Sequence, residues 1–424
     1  MGGPPLTGDK AEHATEHGIT TYLPFPEGKR EGTALCLSGG GYRAALFHLG
    51  ALRRLNELGI LSQIDTFTSV SGGSIVAAQL ATFLARQETP PEPESPIEGF
   101  DAGVAHPMRA FAAKDIRTGA ALARLHPRNW LTPGAQSDAL AAAYAQGPAP
   151  GKVADLPGKP RFVFLASDMR FRDQWVFDTG LRRVGSSSAG YGPLGDWSLA
   201  HAVAASSCVP GAFGIVRARQ DPATLTGGSY QEADRDELVR ELDLSDGGLF
   251  DNLGLEPVWR DHRIVLVSDA APTFEPKPRV GWVWSALRHA VILFEQATEV
   301  RKRWLVSAFI REDLTGAYWG IASRPSSYEL AGAPRGYSEK LIRDCIAPIR
   351  IDLDVFSPGE IGVLENHGYL MAEIAVHKHA AGLVTGAWPE AVVPHQRWLD
   401  EREAKEALRD SDRTRIFFRP RVDP

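Results

Sequence analysis

The sequence predicts a single α/β domain of three layers, with helices on both faces of a central, mostly parallel sheet. A short apolar run at 33–38 is followed by leucines at helical spacing over 43–58, and a second β-rich run follows at 64–70. A strand, a helix and a strand in this order form a β-α-β unit with parallel strands and a right-handed crossover. Another strong strand is predicted at 263–268. The 424 residues, of which 43% are hydrophobic, can bury one large core.

The loop after the first strand is rich in glycine and reads Gly39-Gly40-Gly41-Tyr42-Arg43. Consecutive glycines at a helix N-terminus leave backbone N–H groups free to bind a negative charge. That charge is either a phosphate or the oxyanion of an acyl-transfer reaction. Phosphate is the weaker alternative, because the loop lacks the lysine of a P-loop and the third glycine of a dinucleotide-binding fingerprint. Arg43 opposes the helix dipole in the first turn, so we expect a functional or packing contact to hold it there.

The second strand ends at Ser71, which precedes Gly72, Gly73 and a helix-forming stretch. A serine in a sharp strand-to-helix turn presents its hydroxyl to a substrate, as in the G-x-S-x-G nucleophile elbow. Here Ser69 stands in place of the first glycine of that pattern. The alternative is a plain strand-to-helix connection with a serine near the N-cap. Ser69 and Ser74 are weaker candidates for a nucleophile, since the first lies in the strand and the second lies a turn into the helix.

The β-α-β unit brings the glycine loop and Ser71 to the same place. Parallel neighbouring strands end at one carboxyl edge of the sheet, and open α/β sheets bind their ligands at that edge. The fold therefore places oxyanion donors beside a nucleophile without any long-range coincidence. This arrangement favours acyl transfer.

A third glycine-flanked turn, Asp246-Gly247-Gly248, supplies a carboxylate. Taken alone, an Asp-Gly pair is a common turn signal. Asp269, which directly follows the predicted strand at 263–268, is the best competing carboxylate. A histidine-based triad is the mechanistic alternative, but none of the twelve histidines follows a strand in the late position that such a triad needs. His48 is expected to pack against the strands, and no group of residues shows metal-ligand spacing.

In this order, the strand followed by G-G-G-x-R, the x-S-x-G turn and the D-G-G turn resemble the patatin-like phospholipase family. The resemblance runs from about residue 33 to about residue 381. It includes a strand ending in Ser-Asp at 162–168, an Ala-Ser…Pro segment at 204–211, and a C-terminal helix region at 351–354 with 366–369.

The resemblance implies a Ser–Asp dyad, formed on this chain by Ser71 and Asp246 without an intervening histidine. It implies hydrolysis of the acyl esters of phospholipids or lysophospholipids, with no metal and no cofactor. The implied oxyanion hole comprises Gly39, Gly40, Gly41 and Arg43, with Arg43 shaping or supporting the loop, and the supporting motif residues are Ser69, Gly73, Gly247 and Gly248.

We expect three regions along the chain. An N-terminal extension covers 1–30, the patatin-like catalytic domain covers 31–385, and a C-terminal helix with a charged tail covers 386–424. Within the domain, a proline- and glutamate-rich stretch near 86–105 and a polar stretch near 218–238 lack a core pattern, which predicts flexible insertions.

Charge and cysteine content restrict the partners and the compartment. A net charge of −6 argues against nucleic acid and against strong electrostatic binding to anionic lipid. Three scattered cysteines fit a reducing compartment. Without a secretory signal or a membrane-spanning run, the sequence predicts a cytoplasmic protein, free or peripheral on a membrane. Residues 280–310 interleave aromatic and basic side chains, which suits an interfacial helix or an active-site cap. Stripes of this kind more often belong to an amphipathic helix that covers the sheet, and we favour that interpretation.

Two alternatives to a simple lipid hydrolase stay open at this point. One is a lipase effector that is silent until a regulatory protein or ligand activates it. The other is a catalytically weak lipid-binding module with the same fold. All three share a lipid or phospholipid as the expected partner.

Overall fold

The computed structural model describes residues 30–123, 134–209, 213–271, 282–330, 336–409 and 411. These residues include ten strands that belong to one sheet. In chain order, β1 to β10 are Thr33–Leu37, Thr66–Val70, Arg161–Asp168, Asp173–Asp178, Arg183–Ser186, Gly190–Pro193, Val216–Ala218, Leu242–Asp246, Ile264–Asp269 and Thr315–Gly320.

The centre of the sheet is parallel, as the sequence predicts. Strands β10, β9, β1, β2 and β3 lie side by side in this order, and each neighbouring pair is parallel. Beyond β3 the sheet continues through β4, β5 and β6 in antiparallel pairs. Strand β8 pairs antiparallel with both β3 and β7. The predicted α/β class is thus confirmed, and the antiparallel half is an addition that the sequence patterns did not indicate.

Helices cover the sheet. The described residues contain twelve α-helical segments, α1 to α12, which are Gly41–Glu57, Gly72–Ala85, His106–Ala112, Arg117–Ala123, Ala135–Ala145, Leu199–Ser207, Arg235–Arg240, Gly248–Asp251, Trp282–Ile310, Glu339–Leu341, Pro358–His379 and Glu401–Leu408. The predicted first β-α-β unit is present as β1, α1 and β2, with Gly59 at a φ of 68° directly after the end of α1.

Alternating side chains of β1 point into two different cores. Leu35 and Leu37 belong to the large core, which α1, α2 and α11 cover. Ala34 and Cys36 belong to a smaller core on the opposite face, where Leu305 of α9 packs. This alternation is the period-2 pattern of a strand that is buried on both sides. The three-layer arrangement follows from it.

Helix α1, which carries the glycine loop at its start, is fixed by a close crossing with α11. A Cβ on Gly50 would lie 1.8 Å from the Glu365 backbone oxygen, and a Cβ on Gly368 would lie 1.8 Å from the Phe47 backbone oxygen. Real side chains cannot approach a backbone so closely, so glycine is required at both positions. The two helices are thereby locked together, and the loop before α1 has a rigid support.

The structure also describes the stretches that the sequence singled out as irregular. The first predicted insertion ends in a helical turn at Asp101–Ala105, and the second contains a turn at Pro222–Thr224 and helix α7. The predicted C-terminal helix is α12, while the tail from 412 and the extension up to 29 lie outside the described residues.

The aromatic and basic segment at 280–310 forms the long helix α9. Its second half covers the sheet, since Thr298, Leu305 and Ala308 are buried. This confirms the amphipathic-helix interpretation for that half. Leu293, in the first half, is 71% exposed. Within the described ranges, no helix is both long enough and apolar enough to cross a bilayer.

Candidate active site

The turn between β2 and α2 has the strained geometry of a nucleophile elbow. Ser71 lies between Val70, the last residue of β2, and Gly72, the first residue of α2. Its φ is 50° and its ψ is −116°, a conformation that non-glycine residues seldom adopt. Backbone strain of this kind costs about 1–3 kcal/mol and clusters at functional sites. A plain helix N-cap would instead adopt an ordinary β-region conformation.

Three buried serines support the strained residue. The Ser71 backbone N–H donates to Ser206 Oγ at 2.9 Å, and Ser206 Oγ lies 2.8 Å from Ser74 Oγ. Ser74 Oγ in turn donates to Ser69 Oγ at 3.0 Å. The departure of Ser69 from the glycine of the usual pattern is therefore accommodated, because its hydroxyl takes part in this network. The hydroxyls of Ser69 and Ser74 are both bonded within the network that supports the elbow.

The elbow packs directly against the glycine loop. A Cβ on Gly73 would lie 2.2 Å from the Leu37 backbone oxygen, and a Cβ on Gly72 would lie 2.1 Å from the Gly41 backbone oxygen. A Cβ on Gly39 would lie 3.1 Å from the Ser71 Cβ. The two loops come this close because β1 and β2 are neighbouring parallel strands, as predicted. The shared carboxyl edge is thus present in the structure.

The glycine loop presents free amide donors. Gly40 and Gly41 have φ angles of 144° and 61°, which favour glycine. The Gly39 N–H donates to the Asn252 backbone oxygen at 3.2 Å. In the described part of the chain, the N–H groups of Gly40, Gly41 and Gly72 donate to no protein group. Gly40 and Gly41 therefore have the free donors that an oxyanion hole needs, and Gly39 has its donor engaged.

Arg43 supports this loop from behind. Its guanidinium donates to the backbone oxygens of Ala270, Ala347 and Ile349 at 2.8 to 3.0 Å. Burial lowers the pKa of Arg43 to about 10. Of the two roles suggested by its position, the contacts match loop support, and they explain a cation in a first helical turn. Neutral His48 has a similar role, since burial lowers its pKa to about 4 and its ring binds the Ser38 backbone oxygen.

Strand pairing brings Asp246 to the end of β2. Strand β2 follows one edge of β3 up to the pair Val70 and Leu165, and β4 occupies the other edge. Strand β8 pairs with β3 from the next residue onward, with Asp246 opposite Ala166. Since β3 has only two edges, β8 continues along the edge that β2 leaves. The carboxyl ends of β2 and β8 therefore meet, and Ser71 is level with Asp246.

The Asp246 carboxylate is buried and has an unusual pKa. It is 5% exposed, and its Oδ1 accepts the Gly248 N–H at 2.8 Å. Burial raises its pKa to about 6, while the bond from Gly248 and the nearby Ser71 hydroxyl lower it. The other oxygen, Oδ2, has no hydrogen-bond partner among the described residues. Perturbed carboxylates of this kind are typical of functional sites.

The glycines of this turn allow its close packing. A Cβ on Gly247 would lie 2.2 Å from the Leu165 backbone oxygen, and a Cβ on Gly248 would lie 2.9 Å from Asp246 Oδ1. The Gly248 position is also 3.0 Å from Cε2 of Phe294, a residue of α9. The first half of α9 therefore passes over the base turn.

The competing carboxylate has a different environment. Asp269 accepts hydrogen bonds from Tyr318 at 2.7 Å and from the Ala271 N–H at 2.8 Å, and it pairs with Lys302 at 2.8 Å. Although burial acts to raise its pKa, Lys302 and these hydrogen bonds keep that pKa below its ordinary value. Asp269 is thus a charged anchor for α9, which leaves Asp246 as the carboxylate beside the serine.

Two residues of the site escaped sequence reasoning. Ser206 lies in the Ala-Ser…Pro segment, where nothing in the spacing links it to the elbow. Asn252 follows the Asp-Gly-Gly turn by one helical turn, and its side chain lies between Gly39 and Gly248. Asn252 directly follows the last residue of α8, and a short helix of four residues leaves no periodic signal.

Comparison with known proteins gives the family. The sequence matches the patatin-like phospholipase family over residues 35–259, which is more than half of the chain. The chain belongs to this family. A comparison with curated proteins finds no match.

Solved structures show more distant likenesses. Human GIVD cytosolic phospholipase A2 is 12% identical, with 95% of this chain and 66% of that chain covered and a TM-score of 0.42. Its complex with methyl gamma-linolenyl fluorophosphonate and terbium chloride is 14% identical, with 94% of this chain and 63% of that chain covered and a TM-score of 0.46. VipD from Legionella pneumophila is 13% identical, with 83% of this chain and 67% of that chain covered and a TM-score of 0.36. The patatin-like chain thus spans slightly less than two thirds of the human enzyme's length.

Proposed function

We propose that the protein is a serine acyl hydrolase that cleaves fatty-acyl esters of phospholipids with Ser71 as nucleophile and Asp246 as general base. One observation carries the proposal: a serine in a strained elbow lies level with a buried carboxylate of raised pKa. Family membership supports the lipid class of the substrate.

The first half of the reaction would acylate Ser71. Asp246 Oδ2 accepts the hydroxyl proton as Ser71 Oγ attacks the ester carbonyl, and the tetrahedral intermediate expels the lysolipid alcohol, which takes that proton. A pKa of about 6 leaves Asp246 ionised at neutral pH and makes it a stronger base than an ordinary carboxylate. The absence of an intervening histidine is compatible with the direct proximity of the two side chains.

Backbone amides would stabilise the charge that develops on the carbonyl oxygen. The free N–H groups of Gly40 and Gly41 border the elbow, and the N–H of Gly72 follows the nucleophile directly. One such donor is typically worth about 3 kcal/mol of activation free energy. Gly39 would contribute by its small size, and Arg43 by holding the loop, so neither needs to touch the oxyanion.

The second half would hydrolyse the acyl-enzyme with the same base. Asp246 takes a proton from water as the water attacks the acyl carbon, and it returns that proton to Ser71 Oγ. The Ser71 ester bond breaks and a free fatty acid leaves. A substrate embedded in a bilayer would have to reach this site from a membrane surface, which agrees with a cytoplasmic protein that is peripheral on the membrane.

Lipid mass spectrometry tests the reaction and its base together. Phospholipid vesicles incubated with the wild-type chain should accumulate free fatty acid and lysolipid, and those incubated with Asp246→Asn should not. Asp269→Asn is the matched control, since it removes a buried carboxylate of the same sheet edge. Equal product from wild type and Asp246→Asn would contradict the dyad. Loss of product only in Asp269→Asn, with circular dichroism showing that this variant is folded, would transfer the role of base.

Active-site labelling tests the nucleophile. A fluorophosphonate probe should modify the wild-type chain on Ser71, and Ser71→Ala should remain unlabelled. Ser74→Ala should still be labelled, because its hydroxyl lies in the network behind the elbow. A wild-type chain that is folded but binds no probe would favour a lipid-binding module, and labelling that needs a second protein or ligand would favour a regulated effector.

A further inference from the structure

Asn252 lies between the two loops of the proposed reaction but has no role in it so far. Its Oδ1 lies 2.3 Å from the position that a Cβ on Gly39 would take, and 2.6 Å from the corresponding position on Gly248. Its backbone oxygen accepts the Gly39 N–H. The carboxamide therefore packs on the glycine loop on one side and on the turn of the general base on the other.

Two buried polar atoms at this place lack a hydrogen-bond partner among the described residues. One is a donor, Asn252 Nδ2, and the other is an acceptor, Asp246 Oδ2. Their residues are only 3% and 5% exposed. An unsatisfied buried polar atom destabilises a fold by about 1–3 kcal/mol, so a functional use is expected where two occur together. The two side chains are neighbours, since Asn252 Oδ1 and Asp246 Oδ1 lie 2.6 and 2.9 Å from the same point, the position of a Cβ on Gly248. A water within reach of both unpaired atoms would accept a hydrogen bond from one and donate a hydrogen bond to the other.

We infer that Asn252 is a further catalytic residue, which binds and orients the hydrolytic water together with Asp246. The inference rests on the proposed function, because it concerns the second half of that reaction. Before acylation, Asp246 interacts with the Ser71 hydroxyl. Once Ser71 is acylated it has no proton to donate, so Asp246 Oδ2, which has no hydrogen-bond partner among the described residues, is left to a water.

One O–H of the water donates to Asp246 Oδ2, and Asn252 Nδ2 donates to one lone pair of the water oxygen. The second lone pair attacks the acyl carbon while the proton passes to Asp246. The intermediate then expels Ser71 Oγ, which takes the proton, and the fatty acid leaves. Orientation of the attacking atom is a large part of such a rate, since a misplacement of about 1 Å can cost roughly 100-fold.

A burst experiment separates this role from others. With the p-nitrophenyl ester of a short fatty acid, the nitrophenol burst reports acylation and the steady state reports deacylation. Asn252→Leu keeps the branched shape but removes the donor. We expect its burst rate to stay within about twofold of wild type, while steady-state turnover falls roughly 10- to 100-fold. Intact-protein mass spectrometry of quenched samples should then show the acyl adduct on Ser71 accumulating.

Two further variants secure the result. Asn252→Ala, which introduces no bulk, should show the same selective loss if the leucine variant does not fold. Asn56→Ala removes another buried carboxamide, one that is bonded to Ile97 in the domain core. It should leave the ratio of burst rate to steady-state rate unchanged.

Other outcomes would overturn the inference. Equal losses in burst and steady state would make Asn252 an oxyanion donor, and unchanged turnover would make it a packing residue. A shifted acid limb in the pH profile of the Asn252→Leu burst would indicate a direct bond to Asp246. A wild-type chain that forms no Ser71 adduct would contradict the proposed function itself, whereas an adduct with a normal variant contradicts only the role of Asn252.

Discussion

Replacing the proposed base should stabilise the folded protein at neutral pH. Burial raises the pKa of Asp246 from its ordinary value of 3.8 to about 6, so the folded state binds this proton more tightly than the unfolded state does. Stability therefore falls as the pH rises from about 4 to 6, and it stays reduced above that window. Asp246→Asn keeps an acceptor for the Gly248 N–H and removes the buried negative charge.

The magnitude follows from the pKa. One pKa unit corresponds to about 1.4 kcal/mol, so the gain of Asp246→Asn in free energy of unfolding should be roughly 2 to 3 kcal/mol larger at pH 8 than at pH 4. Chemical denaturation of both proteins at the two pH values measures this difference. Any change in packing caused by the asparagine alters the free energy of unfolding equally at both pH values, so it cancels when the two values are subtracted.

Asp269→Asn should show the opposite sign. This carboxylate has a lowered pKa because Lys302 and Tyr318 stabilise its charge. Removing one partner of a buried ion pair destabilises a protein by about 3–5 kcal/mol. A loss of stability in Asp246→Asn at pH 8, or a gain of the same size at both pH values, would refute the argument that burial alone sets the basicity of Asp246.

Three further substitutions test the supports of the site. Gly39→Ala should lower kcat by about 100-fold or more, since its Cβ would lie 2.3 Å from Asn252 Oδ1 and 3.1 Å from the Ser71 Cβ and would push the glycine loop away from the elbow. Ester turnover measures the loss, and circular dichroism checks that the variant is folded. Ser206→Ala leaves the Ser71 N–H without its acceptor, so chemical denaturation should show a loss of about 1–3 kcal/mol in the free energy of unfolding. Fluorophosphonate labelling of Ser71 should also be slower in this variant. Phe294→Ala should admit water to Asp246 and move the acid limb of the pH–rate profile down by roughly one pH unit; an unmoved limb would count against a shielding role for α9.

The sequence predicted the part of the site that local chain geometry determines. Glycines around Ser71 and after the first strand indicate sharp turns, and the β-α-β rule puts both turns at one edge of the sheet. The structure contains this arrangement, with the strain at Ser71 and the free amides of Gly40 and Gly41. These features depend on residues that are close in sequence or joined by one crossover. Their prediction required no knowledge of distant pairing.

The rest depends on long-range pairing that leaves no local pattern. Nothing in the spacing indicates that β8 runs antiparallel along the edge of β3, although this pairing puts Asp246 level with Ser71. The resemblance to a family supplied that residue, and local reasoning alone favoured a plain turn. Ser206 and Asn252 are part of the same lesson, because their side chains act across loops from positions without any periodic signal.

The pairing of β8 with β3 would also allow a carboxylate to act on the serine directly, as proposed. A histidine in a triad bridges the distance between a serine and an acid that stand on separate loops. Here two strands end against each other along one edge of a third strand, so the hydroxyl and the carboxylate approach without a bridge. A carboxylate at its ordinary pKa would be a poor base for serine. Burial raises the pKa of Asp246 to about 6 and so reduces that weakness, while the amides of Gly40, Gly41 and Gly72 at the neighbouring turns are free for an oxyanion.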